Sequence, residues 1–241
     1  MDTQALLSGL RKCIDTYSLI QDGDRIAVGL SGGKDSLTLL YGLSQLRRFY
    51  PRSFSLIAIV IDPGFHMDYS PLSAFAESLD VKLIVEKTEI YQIAQAKQAD
   101  HTCSLCANMR RAALVHAAMR EGCTAIALGH HMDDYLTTCL MSLIYEGRFY
   151  TFAPKTCYED RDIRIIRPML YLSEGSVQNF ATAMAFPLVK NLCPLDHGTK
   201  REEMSQLLYE MSKRYPGLKR RLLHAVETSD IPDWKMAREN D

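Results

Sequence analysis

One stretch constrains this chain more than any other: VGLSGGKDSL, from Val28 to Leu37. An apolar, partly β-branched run, Arg25-Ile26-Ala27-Val28, leads into it. Leu37, Leu39, Leu40, Leu43 and Leu46 follow at helical spacing. The pattern predicts a strand, a Gly-rich loop and a helix. Such a loop aims several backbone N–H groups at one point, beside the positive end of a helix dipole, and so forms a phosphate cradle. Gly32 and Gly33 let the backbone approach an anion with no Cβ in the way. Ser31 and Ser36 add hydroxyl donors. The loop is not a Walker A, because Lys34 is followed by Asp35 rather than Ser or Thr, and it is not G-x-G-x-x-G. An acid inside a phosphate loop repels an anionic ligand unless it braces the backbone or meets a metal ion. Both readings are open for Asp35. Lys34 is a lesser candidate for neutralising phosphate.

The rest of the chain continues the alternation. Ser55 to Ile61 reads as a buried strand ending at Asp62-Pro63-Gly64, 71–79 as a helix, and Val81 to Val85 as a strand. Cys106 to Glu121 reads as a helix stopped by Gly122. Ala125 to Leu128 is a short buried strand, and Asp133 to Tyr145 a helix. Arg164 to Arg167 gives a further strand, and 173–185 and 199–224 are helical. Pro51 ends the helix that starts near Ser36. This is an α/β pattern: a largely parallel sheet with helices on both faces and a helical C-terminal extension from about residue 199. Ligands of such sheets sit beyond the carboxyl ends of the strands. Asp35, Asp62 and the segment from His130 to Asp134 all follow strand ends, so one site can gather them. The 241 residues are expected to form one domain.

No run of eighteen apolar residues is present and the N-terminus lacks a signal-peptide layout, so a cytoplasmic protein without membrane contact is expected. The formal net charge of −1 announces no polyanion, although basic pairs such as Arg110-Arg111 and Lys200-Arg201 occur. Each pair alone reads as a solvated helix face. Seven irregularly spaced cysteines argue against a disulfide framework. Cys103 and Cys106 form a C-x-x-C ahead of the apparent helix, which permits zinc, an iron–sulfur cluster or a redox dithiol. Cys193 is a third candidate; three thiolates fit a [4Fe–4S] cluster with one iron open. Cys123 and Cys139 read as core. Gly129-His130-His131-Met132-Asp133-Asp134, read alone, is either a metal cluster or a capped helix N-terminus.

Together these blocks resemble a known family. SGGKDS is similar to the pyrophosphate loop of the PP-loop ATP pyrophosphatases. With CSLCANMRR, ALGHHMDD, IRPMLY, NLC and RYPG, the chain from Ile26 to Pro216 resembles the tRNA 2-thiocytidine synthetase family. The resemblance implies a Rossmann-like, adenine nucleotide alpha hydrolase-like fold that binds ATP and Mg²⁺ and adenylylates a tRNA cytidine, at position 32, before replacing its C2 oxygen with sulfur. It implies an oxygen-sensitive [4Fe–4S] cluster on Cys103, Cys106 and Cys193. It places Ser31, Gly32, Gly33, Asp35, Ser36, Asp62, Gly129, His130, Asp133 and Asp134 around the nucleotide. It implies tRNA as partner, a cysteine desulfurase as sulfur source and a homodimer. Other readings are a different PP-loop tRNA modifier, forming 2-thiouridine or lysidine, or a non-catalytic iron–sulfur sensor of nucleotide or RNA. After NLC, the segment from Pro194 to Arg201 departs from the Gly-Ser-Gln-type sequence of the better-known members.

Overall fold

The structure is a computed structural model of the chain. It describes residues 1–65, 67–96, 102–158, 162–189, 193 and 199–229, with the backbone alone at 102–104. The elements run α1 (Thr3–Tyr17), β1 (Asp24–Leu30), α2 (Lys34–Leu46), β2 (Phe54–Asp62), α3 (Ser70–Ser78), β3 (Lys82–Lys87), α4 (Ile90–Ala96), α5 (Thr102–Arg120), β4 (Ala125–Ala127), α6 (Met132–Tyr145), β5 (Lys155–Tyr158), β6 (Ile163–Ile166), α7 (Glu174–Ala183), α8 (Lys200–Arg214) and α9 (Leu218–Glu227). Six strands form one sheet in the order β3-β2-β1-β4-β6-β5. All neighbours are parallel except β5, which lies antiparallel on β6.

Both sheet faces are covered, which the strand compositions require. Ile26, Val28, Leu56, Ala58 and Val60 enter one core, packed by α1, α2, α3, α6 and α7. Ala27, Ile57, Ile59 and Ile61 point the other way, into a smaller core with α5. A central strand buried on both sides reads as a continuous apolar run, as SLIAIVI does. The last helix, α9, is held at both ends. Lys219 forms an ion pair with Asp133 at the start of α6, while Glu227 accepts hydrogen bonds from the Tyr17 (2.9 Å) and Tyr171 (2.7 Å) hydroxyls.

The expected boundaries need three corrections, and two elements are additional. α2 begins at Lys34, not Ser36, because Gly33 is its N-cap. α5 begins at Thr102, so the C-x-x-C lies inside the helix rather than ahead of it. The helix expected over 199–224 is two, separated at Tyr215-Pro216-Gly217, where Gly217 takes φ 79°. α4 and β5 were not expected from the sequence.

Candidate active site

Strand order creates the site. From β1 the chain moves outward to β2 and β3, then returns to β4 on the opposite side of β1. The connections that leave β1 and β4 therefore diverge at their carboxyl ends, opening the crevice where α/β sheets bind ligands. The loop from Ser31 to Gly33 leaves one strand, and the turn Gly129-His130-His131 follows the other.

The loop is held by its own serines. The Ser36 hydroxyl accepts the Ser31 N–H (3.2 Å) and donates to the Gly33 carbonyl (3.0 Å), and Ser31 Oγ accepts the Gly33 N–H (3.3 Å). Gly32 adopts φ 80°, in the left-handed region. The Gly32 carbonyl accepts the N–H of Val189 (3.0 Å). These hydroxyls, expected as phosphate donors, thus shape the loop. Gly33 offers no side-chain cap, so no side chain occupies the N–H groups opening α2. Uncapped donors at a helix N-terminus fit an anion. Gly129 packs onto the same loop: a Cβ there would lie 2.9 Å from the Asp35 carbonyl carbon and 3.1 Å from the Ser36 nitrogen.

The turn after β4 separates two aspartates that look equivalent in sequence. Asp134 accepts the His131 N–H (2.9 Å) as in a capping box, so the cap reading holds. The same carboxylate lies 3.3 Å from His131 Nδ1 and meets Arg201 of α8 at 2.7 Å. Burial works to raise its pKa, but His131, His130 and Arg201 outweigh burial and hold the carboxyl below its usual range. His131 Nε2 stands 3.7 Å from Asp35, which also pairs with Lys34 (3.1 Å). Asp133 lines the same cavity as this group but has other partners. It accepts the Glu174 N–H at the start of α7 (2.8 Å) and pairs with Lys219, so its contacts are those of a brace. Asp62, buried, accepts the N–H groups of Gly64 (2.9 Å) and Phe65 (3.1 Å) and fixes the turn after β2.

Two cavities flank the loop. One, of about 570 Å³, is lined by Lys34, Asp35, His131, Asp134, Arg201 and Tyr209. The other, of about 290 Å³, lies between the strand ends and α5, walled by Ser31, Ile61, Arg110, Arg111 and His130. His130 packs against Phe152 with ring centroids 4.9 Å apart. Burial chiefly, with Arg167, Arg201 and His131 adding to it against Asp134, lowers its pKa to about 4, so the ring is neutral at ordinary pH. Its Nδ1 is buried without a hydrogen-bond partner.

The cysteines divide by burial. Cys13, Cys123 and Cys139 are buried, and burial pushes their thiols up, away from the thiolate that metal binding needs. Cys157 is exposed on β5, opposite Arg164, towards the far end of the sheet. Cys106 is half-buried in the first turns of α5, next to Ala107, which lines the smaller cavity. Cys193 is half-buried as well. The Cys103 side chain lies outside the described residues. Among the described residues no three His, Cys, Asp or Glu side chains form a ready metal cage. Arg201, which read as one of a solvated basic pair, lines the larger cavity and was missed by sequence reasoning; His131, named within its six-residue block, lines it too.

A crevice at the β1/β4 switch point, with a glycine-rich loop whose helix N-terminus is left uncapped, defines a nucleotide-binding α/β protein. Residues 6–202 match the PP-loop domain. The chain is 36% identical over 226 residues to a tRNA-cytidine(32) 2-sulfurtransferase of Geobacter metallireducens, covering 91% of this chain and 87% of that protein. It is 40% identical over 212 residues to the tRNA-cytidine(32) 2-sulfurtransferase of Escherichia fergusonii, covering 86% and 68%. Its fold is similar to the U34-tRNA thiolase NcsA from Methanococcus maripaludis, solved with its [4Fe-4S] cluster, at TM-score 0.76 and 24% identity over 93% of this chain and 77% of that one. The chain belongs to the tRNA-cytidine(32) 2-sulfurtransferase family of PP-loop enzymes. No helix among the described residues is long and apolar enough to cross a membrane.

Proposed function

We propose that this protein uses ATP to replace the C2 oxygen of a tRNA cytidine with sulfur, at position 32, giving 2-thiocytidine. The observation that carries this reading is the packing of Gly129 against the backbone of Asp35 and Ser36. It joins the phosphate loop and the His130–Asp134 turn into one site beside the Cys106 helix. ATP lies with its phosphates against the N–H groups opening α2. The C2 oxygen attacks the α-phosphorus and pyrophosphate leaves, which turns a poor leaving oxygen into AMP. A sulfur nucleophile then adds at C2 and AMP departs. The protein's part is positioning and charge neutralisation. Arg110 and Arg111 bring positive charge to the smaller cavity, and neutral His130 forms part of its wall.

Mg²⁺ bound with a nucleotide needs only one or two carboxylates. Asp35, Asp133 and Asp134 all line the larger cavity and suit that role, and each already meets a cation: Lys34, Lys219 and Arg201 respectively. For the cluster, Cys106 and Cys193 fit by chemistry, since both are half-buried and neither is sealed in the core; Cys103 completes the set by sequence. When bound, a three-cysteine [4Fe–4S] cluster supplies an open iron at which sulfur can be held. Sulfur arrives from a cysteine desulfurase. Residues 1–241 act as one PP-loop unit, as a homodimer in the cytoplasm.

The test is anaerobic reconstitution with iron, sulfide, ATP and tRNA, followed by nucleoside analysis and pyrophosphate measurement. The reading expects 2-thiocytidine at position 32 and pyrophosphate release that depends on tRNA. Turnover of free cytidine at the same rate, or thiolation without ATP, refutes it.

A further inference from the structure

The end of α6 and the loop after it carry an exposed apolar shelf that no described residue covers. Ile144 is 52% exposed, Phe149 44% and Tyr150 42%. The shelf is fixed in place. The Arg148 N–H donates to the Ser142 carbonyl (3.1 Å), and the Ser142 hydroxyl to the Tyr150 carbonyl (2.6 Å), folding the loop back over the last turn of α6. Cations lie on its rings: Arg148 sits 4.8 Å from the Tyr150 centroid, and Lys200 of α8 sits 4.6 Å from that of Tyr145. Glu146 holds the Arg148 guanidinium from the side (2.6 Å).

The shelf continues into the site. Beyond Tyr150 the chain turns inward. Thr151 donates to the Tyr135 carbonyl (2.9 Å), and Phe152 packs on His130, a wall of the 290 Å³ cavity. Two residues of extended chain span about 7 Å, so the exposed ring stands beside the place where His130 is held. We propose that this shelf stacks the unpaired nucleotides flanking the target base of a single-stranded RNA loop. The proposal rests on the tRNA reading above. Flat rings with cations over their faces suit nucleobases and their phosphates, because every base has a π-face and every linkage a negative charge. A purely apolar protein partner has no use for Arg148 and Lys200.

The test measures tRNA affinity by fluorescence anisotropy at fixed salt, with no turnover, for Phe149→Ala, Tyr150→Ala, the double variant, Tyr150→Phe and Arg148→Glu. ATP affinity and sedimentation are followed in parallel. Each alanine should weaken tRNA binding about tenfold and the pair about a hundredfold, with ATP affinity unchanged. Tyr150→Phe, which keeps the ring, should bind as the parent does. Arg148→Glu should flatten the salt dependence. A fully paired RNA duplex should not distinguish the variants. The proposal is overturned if the double variant binds tRNA within twofold of the parent. It is also overturned if the double variant dissociates an oligomer while RNA affinity per protomer stays the same, for the shelf then belongs to a second copy. Failure of the parent protein itself to bind tRNA would instead remove the functional reading, and the proposal with it.

Discussion

Replacing Gly129 with alanine tests how closely the two halves of the site are joined. The added Cβ would stand 2.9 Å from the Asp35 carbonyl carbon, 3.0 Å from its oxygen and 3.1 Å from the Ser36 nitrogen. All three are backbone atoms, so no flexible side chain can yield. To reach ordinary contact the phosphate loop must retreat by about half an ångström. Overpacking of this kind costs about 1–3 kcal/mol of stability. Its effect on chemistry should be larger, since a displacement of about 1 Å can cost roughly a hundredfold in rate and half of that about tenfold. Gly122→Ala is the control. It forces φ 68° on a residue with a Cβ, yet nothing lies within 4 Å. Its cost is about 1–2 kcal/mol of backbone strain, with no effect on the loop. The assay pairs thermal unfolding with ATP affinity by calorimetry and single-turnover pyrophosphate release. Both variants should lose similar stability, and only Gly129→Ala should lose ATP affinity and rate. Unchanged ATP binding and release in Gly129→Ala, or equal losses in Gly122→Ala, refutes the reasoning.

Three further outcomes follow from the site. Asp133→Ala strips the buried partner from Lys219 and from the Glu174 N–H, so it should destabilise the fold by about 3 kcal/mol; a stable variant defective only in Mg²⁺ dependence would show that Asp133 serves the nucleotide instead. For His130 the native pKa of about 4 lies below the ordinary value of 6.5. The unfolded chain therefore binds more protons between those values, and stability is complete above pH 6.5 and declines as pH falls towards 4. His130→Gln should flatten that decline in urea titrations at stepped pH, and an unaltered slope would mean His130 is not its source. Cys106→Ala and Cys193→Ala should each lose bound iron after anaerobic reconstitution, while Cys139→Ala keeps it, because burial keeps Cys139 a core thiol; retention of iron by Cys193→Ala would remove that residue from the ligand set.

The parts of the fold visible in the sequence are those made by local chemistry. The β1 loop and α2 were legible because strand, glycines and leucine periodicity are contiguous. β5 was not, since KTCY is a four-residue, half-exposed edge strand with no alternation to mark it. α4, seven residues long, is too short for periodicity to show. The break between α8 and α9 is written in Pro216 and Gly217, yet the helical pattern on either side masked it. In the site, the sequence marked the Asp133-Asp134 pair but not the division of labour within it. That division is set by Lys219 and Arg201, which arrive from distant helices. Likewise the hydroxyls of Ser31 and Ser36, expected as phosphate donors from the motif, also brace the loop, which the motif alone did not reveal.

The ion pair between Asp133 and Lys219 spans 86 residues, and the bond from Tyr17 to Glu227 spans 210. During synthesis the carboxylate at the head of α6 must therefore wait for most of a domain's length of chain before its lysine leaves the ribosome. Until then the acid beside the turn that carries His130 and His131 lacks that lysine. A nascent chain stalled at Arg214 should show this as protease cleavage near Asp133 that vanishes once α9 has emerged.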